Sequence, residues 1–244
     1  FAVDAHLDRW RHSTSEMGIC DLPTLADIES LLQELLSRNQ RTLESEGELG
    51  ITMFATPGTA QSESATFGMH VNRLNLTSIQ QRQESGQPLV ITDVQQPSSQ
   101  CWPRTIKARS RLHYYLADQA AQQKDPSASG VLIDDDGTIT ETSISNVAIV
   151  KAQKILSPPR ERVLRGITQL YVEQLAKELQ IDWSTCPIST DDLLNAEEVL
   201  LMGTDGGLWF ANRVNETSIG NGPPPRTYES LQRQFRSRLG SIPS

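Results

Sequence analysis

The chain has only three cysteines among 244 residues, Cys20, Cys101 and Cys186, and they form no C-x-x-C pair. An odd number of widely spaced thiols suits a reducing cytoplasm and argues against a disulfide scaffold or a zinc site. Positive charge is also in short supply: 22 Lys and Arg against 30 Asp and Glu leave a formal net charge of −8. No basic stripe offsets that balance, so general binding to nucleic acid or to an anionic membrane is not expected. Arg233, Arg236 and Arg238 near the end read as the solvated face of a helix. Long hydrophobic runs are lacking, so no segment reaches the length needed to span a bilayer, and no signal-peptide pattern is present. Histidine is scarce as well; His12, His70 and His113 have no partners at metal-ligand spacing and read as structural, so no metal is expected. An initial methionine is missing too. Phe1 opens directly on F-A-V-D-A-H-L-D-R-W, a helix already under way, which reads as an N-terminally incomplete piece of a longer protein.

What is present is an α+β pattern. Residues 4–18 are amphipathic, and Asp21-Leu22-Pro23-Thr24 breaks the chain before a second helix over 24–43. There Leu25, Ile28, Leu31, Leu32, Leu35 and Leu36 recur at helical spacing. Residues 49–54 read as a strand, Thr56 to Ala65 as a small-residue loop, and 71–79 as a further strand. The polar stretch 81–88, with Ser85-Gly86-Gln87-Pro88, reads as a linker between a small α/β domain (1–80) and a large domain (89–244). Strands are expected at 89–94, 130–133, 138–140, 146–150 and 154–156, with Asp134-Asp135-Asp136-Gly137 supplying hairpin-turn chemistry. After Gly166, the residues Ile167, Leu170, Tyr171, Leu175 and Leu179 share one helix face. Thr190-Asp191-Asp192 caps a short helix, strands follow at 199–202 and 209–214, and a final helix lies near 227–239.

Four segments carry possible chemistry: I-K-A-R-S-R-L (106–112), D-G-T-I-T-E-T-S-I-S-N (136–146), L-R-G-I-T-Q (164–169) and L-M-G-T (201–204). Lys107 ends a loop ahead of a helix; near a domain seam it would be desolvated into an amine nucleophile, although most lysines are solvated. Glu141 on a short strand suits a partner for a ring nitrogen, or an ordinary polar strand face. Ser143, Ser145 and Asn146 either orient it or satisfy turn backbone. Gly166-Ile167-Thr168 just before a helix offers N–H groups and a hydroxyl to a phosphate, and is otherwise a plain N-terminus. Arg9 in H-L-D-R adds a guanidinium fork, and Gly203-Thr204 ends an apolar strand. A lysine for an imine, an acid for a ring nitrogen and a phosphate cradle together suggest bound pyridoxal phosphate.

In this order the segments resemble the class IV aminotransferases, the fold-type IV pyridoxal-phosphate enzymes that include branched-chain and D-amino acid aminotransferases and aminodeoxychorismate lyase. The pattern H-x-x-R, I-K, D-x-x-G-x-(I/V)-x-E-x-x-x-x-N, G-I-T, G-T runs from His6 to Thr204. The resemblance implies that Lys107 forms the imine and shuttles the substrate α-proton, and that Glu141, with Asn146 nearby, binds the pyridine nitrogen. Arg9, the Gly166-Ile167-Thr168 turn and Thr204 would hold the phosphate, and Gly203 and Asp205 would meet the substrate. It further implies two α/β domains, the larger binding the cofactor, and a homodimer acting on an amino acid and a 2-oxo acid. Three positions depart from the pattern: Gln169 where arginine is usual, Leu112 where the branched-chain enzymes carry tyrosine, and the charged Asp205 where a small residue is common. The leading expectation is an aminotransferase with a branched-chain amino acid as a candidate substrate. Aminodeoxychorismate lyase is the alternative, and a non-catalytic paralogue the reading from another class.

Overall fold

The computed structural model describes residues 1–59, 64–220 and 225–240. The chain divides into two compact units, Ala2–Leu76 and the remainder from Thr77 onward with Phe1. In the smaller unit α1 (Val3–Glu16) and α2 (Leu25–Arg38) precede α3 (Gln40–Glu46). Thr24 starts α2 with a capping box: its side chain takes the Asp27 N–H while Asp27 answers the Thr24 N–H, satisfying two helix-end donors reciprocally. The single helix expected over 24–43 is split at Asn39, whose Nδ2 donates to the Leu35 carbonyl at 2.8 Å. That side chain closes the last turn of α2 before α3 begins.

Strands β1 (Leu49–Thr56) and β2 (Thr66–Arg73) pair antiparallel from Leu49↔Arg73 to Thr56↔Thr66. The strand expected over 71–79 is therefore corrected. β1 offers no partner beyond Arg73, and the chain turns into α4 (Leu76–Ser85). Of the loop expected between Thr56 and Ala65, residues 60–63 lie outside the described residues. The stretch 81–88 is not an irregular linker either. Gly86, at φ 78°, ends α4 by donating its N–H to the Arg82 carbonyl, and β3 (Gln87–Gln95) starts at the next residue.

Among the described residues the larger unit is built on nine strands: β3, β4 (Ser129–Ile133), β5 (Ile139–Thr142), β6 (Asn146–Lys151), β7 (Lys154–Ser157), β8 (Trp183–Thr185), β9 (Glu198–Gly203), β10 (Gly207–Val214) and β11 (Thr217–Ser218). The pairing β3-β4-β5-β6-β9-β10 returns from β10 to β3, so six strands close into a ring. Side chains alternate across it with the strand period of two. Val147, Ile149, Val199, Leu201, Trp209 and Ala211 share one core with Leu89, Val131 and Ile139. Their neighbours Ala148, Val150, Leu200, Met202, Leu208 and Phe210 pack instead with residues of two helices, α6 (Ile167–Glu178) and α8 (Arg226–Gly240). A short α7 (Thr190–Leu194) is capped by Ser189 and Asp192, one residue earlier than the sequence pattern suggests. Against β3 and β4 lies α5 (Leu112–Lys124); a Cβ on Gly130 would stand 2.4 Å from the Ala117 carbonyl oxygen, so that contact requires glycine.

Candidate active site

The turn between β4 and β5 organises the site. Gly137 adopts φ 79°, the Asp134 N–H donates to the Thr138 carbonyl, and the hairpin delivers Glu141 two residues into β5. Every residue of β5 is buried, Glu141 to 3% exposure. Its carboxylate collects donors from four segments. Oε1 accepts from Tyr114 Oη at 2.6 Å and Gln96 Nε2 at 3.2 Å. Oε2 accepts from Asn146 Nδ2 at 3.1 Å and the Leu164 N–H at 3.2 Å. Burial pushes the Glu141 carboxyl up, while Tyr114, the Leu164 N–H, the Lys107 charge and Gln96 pull it back toward the carboxylate. Burial wins. The site therefore favours a cationic or proton-donating partner at this oxygen pair.

Asn146 joins that acid to the next segment. Its Nδ2 also donates to the Leu164 carbonyl at 2.9 Å, and its Oδ1 occupies the space where a Cβ of residue 166 would be. Ser145 does something different: its hydroxyl and N–H both engage the Thr142 hydroxyl, so it satisfies the turn. Two residues past Leu164, Gly166 begins α6 with no side-chain cap hydrogen bond. The first N–H groups of a helix have no intrahelical partner and sit at the positive end of its dipole. In that first turn Thr168 is 2% exposed, and its hydroxyl is buried without a hydrogen-bond partner. An uncapped helix start with an orphaned hydroxyl suits a phosphate. Ile167 and Gln169 beside it are buried.

Gly203 ends β9 against the same edge; a Cβ there would lie 2.2 Å from the Ile144 carbonyl oxygen. Thr204 and Asp205 follow in an exposed turn. Asp205 is not an isolated charge, because its carboxylate raises the guanidinium of Arg82 on α4, which burial otherwise lowers. Lys107 lies in the 96–111 connection, an exposed residue between the buried Ile106 and α5. Its charge reaches Glu141, but the desolvated setting expected for it is not found around its exposed side chain. Arg9 belongs to the smaller unit, on α1, with a guanidinium nitrogen 3.4 Å from His6 Nδ1 and its pKa lowered by burial to about 10.

Several partners have no signature in the sequence. Tyr114 and Gln96 reach Glu141 from residues 27 and 45 positions away. Arg104 forms a buried bidentate pair with Asp134 at 2.7 and 2.8 Å, anchoring the Lys107 connection. Arg162 meets Asp136 at 2.5 Å, anchoring the approach to Gly166. Bidentate arginine–carboxylate geometry fixes orientation as well as energy.

A closed strand ring places a buried acid and an uncapped helix start together in one α+β domain. Comparison with known proteins narrows this. The family model for amino-transferase class IV matches residues 1–214, and the chain belongs to that family. It is 26% identical over 246 residues to a D-alanine aminotransferase of Bacillus licheniformis, covering 98% of this chain and 83% of that protein. It is 24% identical over 253 residues to an aminodeoxychorismate lyase of Bacillus subtilis, covering 99% and 82%. Among solved structures, the branched-chain amino acid aminotransferase of Escherichia coli superposes with a TM-score of 0.86 at 20% identity. That match covers 96% of this chain and 78% of the other, and it shows the fold.

Proposed function

We propose that this chain is a pyridoxal-phosphate-dependent aminotransferase that moves an amino group between an amino acid and a 2-oxo acid, with branched-chain amino acids the first substrates to assay. The observation that carries the reading is Asn146, which donates to the buried Glu141 carboxyl and packs against Gly166 at the uncapped start of α6, where the Thr168 hydroxyl is buried without a partner. When bound, pyridoxal phosphate supplies an aldehyde that exchanges amines and a ring that accepts electrons.

The residues divide the work as follows. Lys107 Nζ would hold the cofactor and carry the substrate's α-proton. Glu141 would pair with the ring nitrogen, and Asn146 holds the Glu141 carboxylate in place. The Ile167 and Thr168 N–H groups, with the Thr168 hydroxyl, bind the phosphate, and Gly166 gives it close approach to the backbone. Thr204 would complete the phosphate site, and Gly203 and Asp205 would meet the substrate. The last three assignments rest on the family resemblance. Three free thiols suit a cytoplasmic enzyme, and the exposed Leu112, Tyr115 and Leu116 of α5 suit a homodimer contact.

The specific relative that favours a second reading is the lyase, which would release pyruvate with no amino acceptor. Product analysis separates the two: glutamate from 2-oxoglutarate supports transfer, and acceptor-independent pyruvate supports the lyase. Neither product, with no cofactor absorbance band in supplemented protein, would leave a non-catalytic paralogue. Borohydride reduction and peptide mapping should locate the cofactor on Lys107, and Lys107→Ala should lose the linkage.

A further inference from the structure

Tyr114 carries an inference that rests on the proposed function and goes beyond it. It lies on α5, away from the segments that mark the family, and its Oη makes the shortest contact to Glu141, 2.6 Å to Oε1. The Arg111 guanidinium sits 4.7 Å from the centre of the Tyr114 ring and donates to the Ser143 carbonyl, which fixes the ring beside the β5–β6 turn. The neighbouring His113 ring is 4.0 Å away, centre to centre. The groups facing Glu141 are thus Lys107, Tyr114, Gln96, Asn146 and the Leu164 N–H, with Arg111 and His113 behind the tyrosine.

A buried acid opposite a ring nitrogen can lose its function by taking the proton itself. Desolvation pushes a carboxyl in that direction, and hydrogen bonds donated to the carboxylate oppose it. A cation as the main donor would oppose it too, but would repel a protonated ring. A phenol stabilises the carboxylate without adding charge. Tyr114 keeps its own proton, since burial and the adjacent Glu141 push its hydroxyl far above the ordinary tyrosine range. We propose that Tyr114 is a positioning residue that holds Glu141 as the carboxylate, so that the shared proton rests on the pyridine nitrogen of bound pyridoxal phosphate and not on Glu141. The proton moves between those two atoms and none is gained or lost.

The test uses the full chain loaded with cofactor labelled with ¹⁵N at the ring nitrogen, and reads the nitrogen resonance at neutral pH. Glu141→Gln should move the resonance toward the neutral-pyridine value. Tyr114→Phe should move it part of the way, corresponding to about a tenfold change in the proton's partition, the scale of one hydrogen bond to a charged group. Gln96→Leu removes the longer donor to the same oxygen and should move it less, in the same direction; it decides the matter if Tyr114→Phe does not fold. Wild-type protein that takes up no cofactor overturns the proposed function and this inference with it. A resonance moved by Glu141→Gln but not by Tyr114→Phe, or by Gln96→Leu in its place, overturns this inference alone. A resonance unmoved by Glu141→Gln removes Glu141 from the ring nitrogen, and with it the role of Tyr114.

Discussion

Asn146 and Gly166 are in such close contact that a Cβ on residue 166 would stand 1.8 Å from the asparagine Oδ1. The same asparagine donates to Glu141 and to the Leu164 carbonyl. One side chain therefore couples the buried Glu141 carboxyl to the turn at the start of α6. Gly166→Ala must displace Asn146 from a packed position, at a cost of about 1–3 kcal/mol. Urea unfolding should show that loss, and cofactor affinity should fall with it. An unchanged midpoint would mean that Asn146 moves aside without cost.

Thr168→Val separates stability from binding, because the hydroxyl it removes is buried and unpartnered. Cofactor-free protein should be as stable as wild type or slightly more so, since a buried polar group without a partner is unfavourable. Cofactor should bind about ten- to a hundredfold more weakly, the value of a hydrogen bond to a charged group. Equilibrium dialysis and thermal melting together read both signs. Loss of stability with unchanged affinity would remove Thr168 from the phosphate site.

Glu141 makes the cofactor-free protein sensitive to pH. Its folded-state pKa is raised by burial, so the folded chain holds a proton that the unfolded chain releases near the ordinary carboxylate value of about 4.3. Above that value stability falls as pH rises, until the raised pKa is passed; below it, the group contributes no pH dependence. Glu141→Gln should be more stable than wild type at neutral pH and lack this slope. Parallel pH–stability curves for the two proteins would count against it.

Arg104→Met breaks a pair in which both partners are nearly inaccessible, with side chains 6% and 3% exposed. Leaving Asp134 buried without its arginine should cost about 3–5 kcal/mol. Denaturant titration of Arg104→Met beside the double variant Arg104→Met/Asp134→Leu gives the check: the double variant should recover part of the loss.

Much of the fold was legible because it follows from short-range pattern. The β4–β5 hairpin is written in Asp134-Asp135-Asp136-Gly137, and the helix after Gly166 in its apolar spacing. The closed ring was not, since the return from β10 to β3 pairs residues more than a hundred positions apart. The supposed linker at 81–88 misled because a glycine-capped helix end followed by Gln87-Pro88 has the composition of a loop. Within the candidate site, Glu141, Gly166 and Lys107 were marked by motif. Tyr114, Gln96, Arg104 and Arg162 reach it only through tertiary packing, and no spacing points to them. Asp205 was legible as a charge, but Arg82, which answers it, lies on a helix that the sequence pattern reads as strand and linker.

Arg104 brings the Lys107 connection to Asp134, and Arg162 brings the approach to Gly166 to Asp136 and, at 3.5 Å, to Asp134 as well. Glu141 leaves the same hairpin on β5. The connection that carries Lys107, the strand that carries Glu141 and the approach to Gly166 are thereby moored to a single acidic bend. A disturbance at that bend reaches all three at once, so the protein has a common point of failure where three independent loops would have given it three.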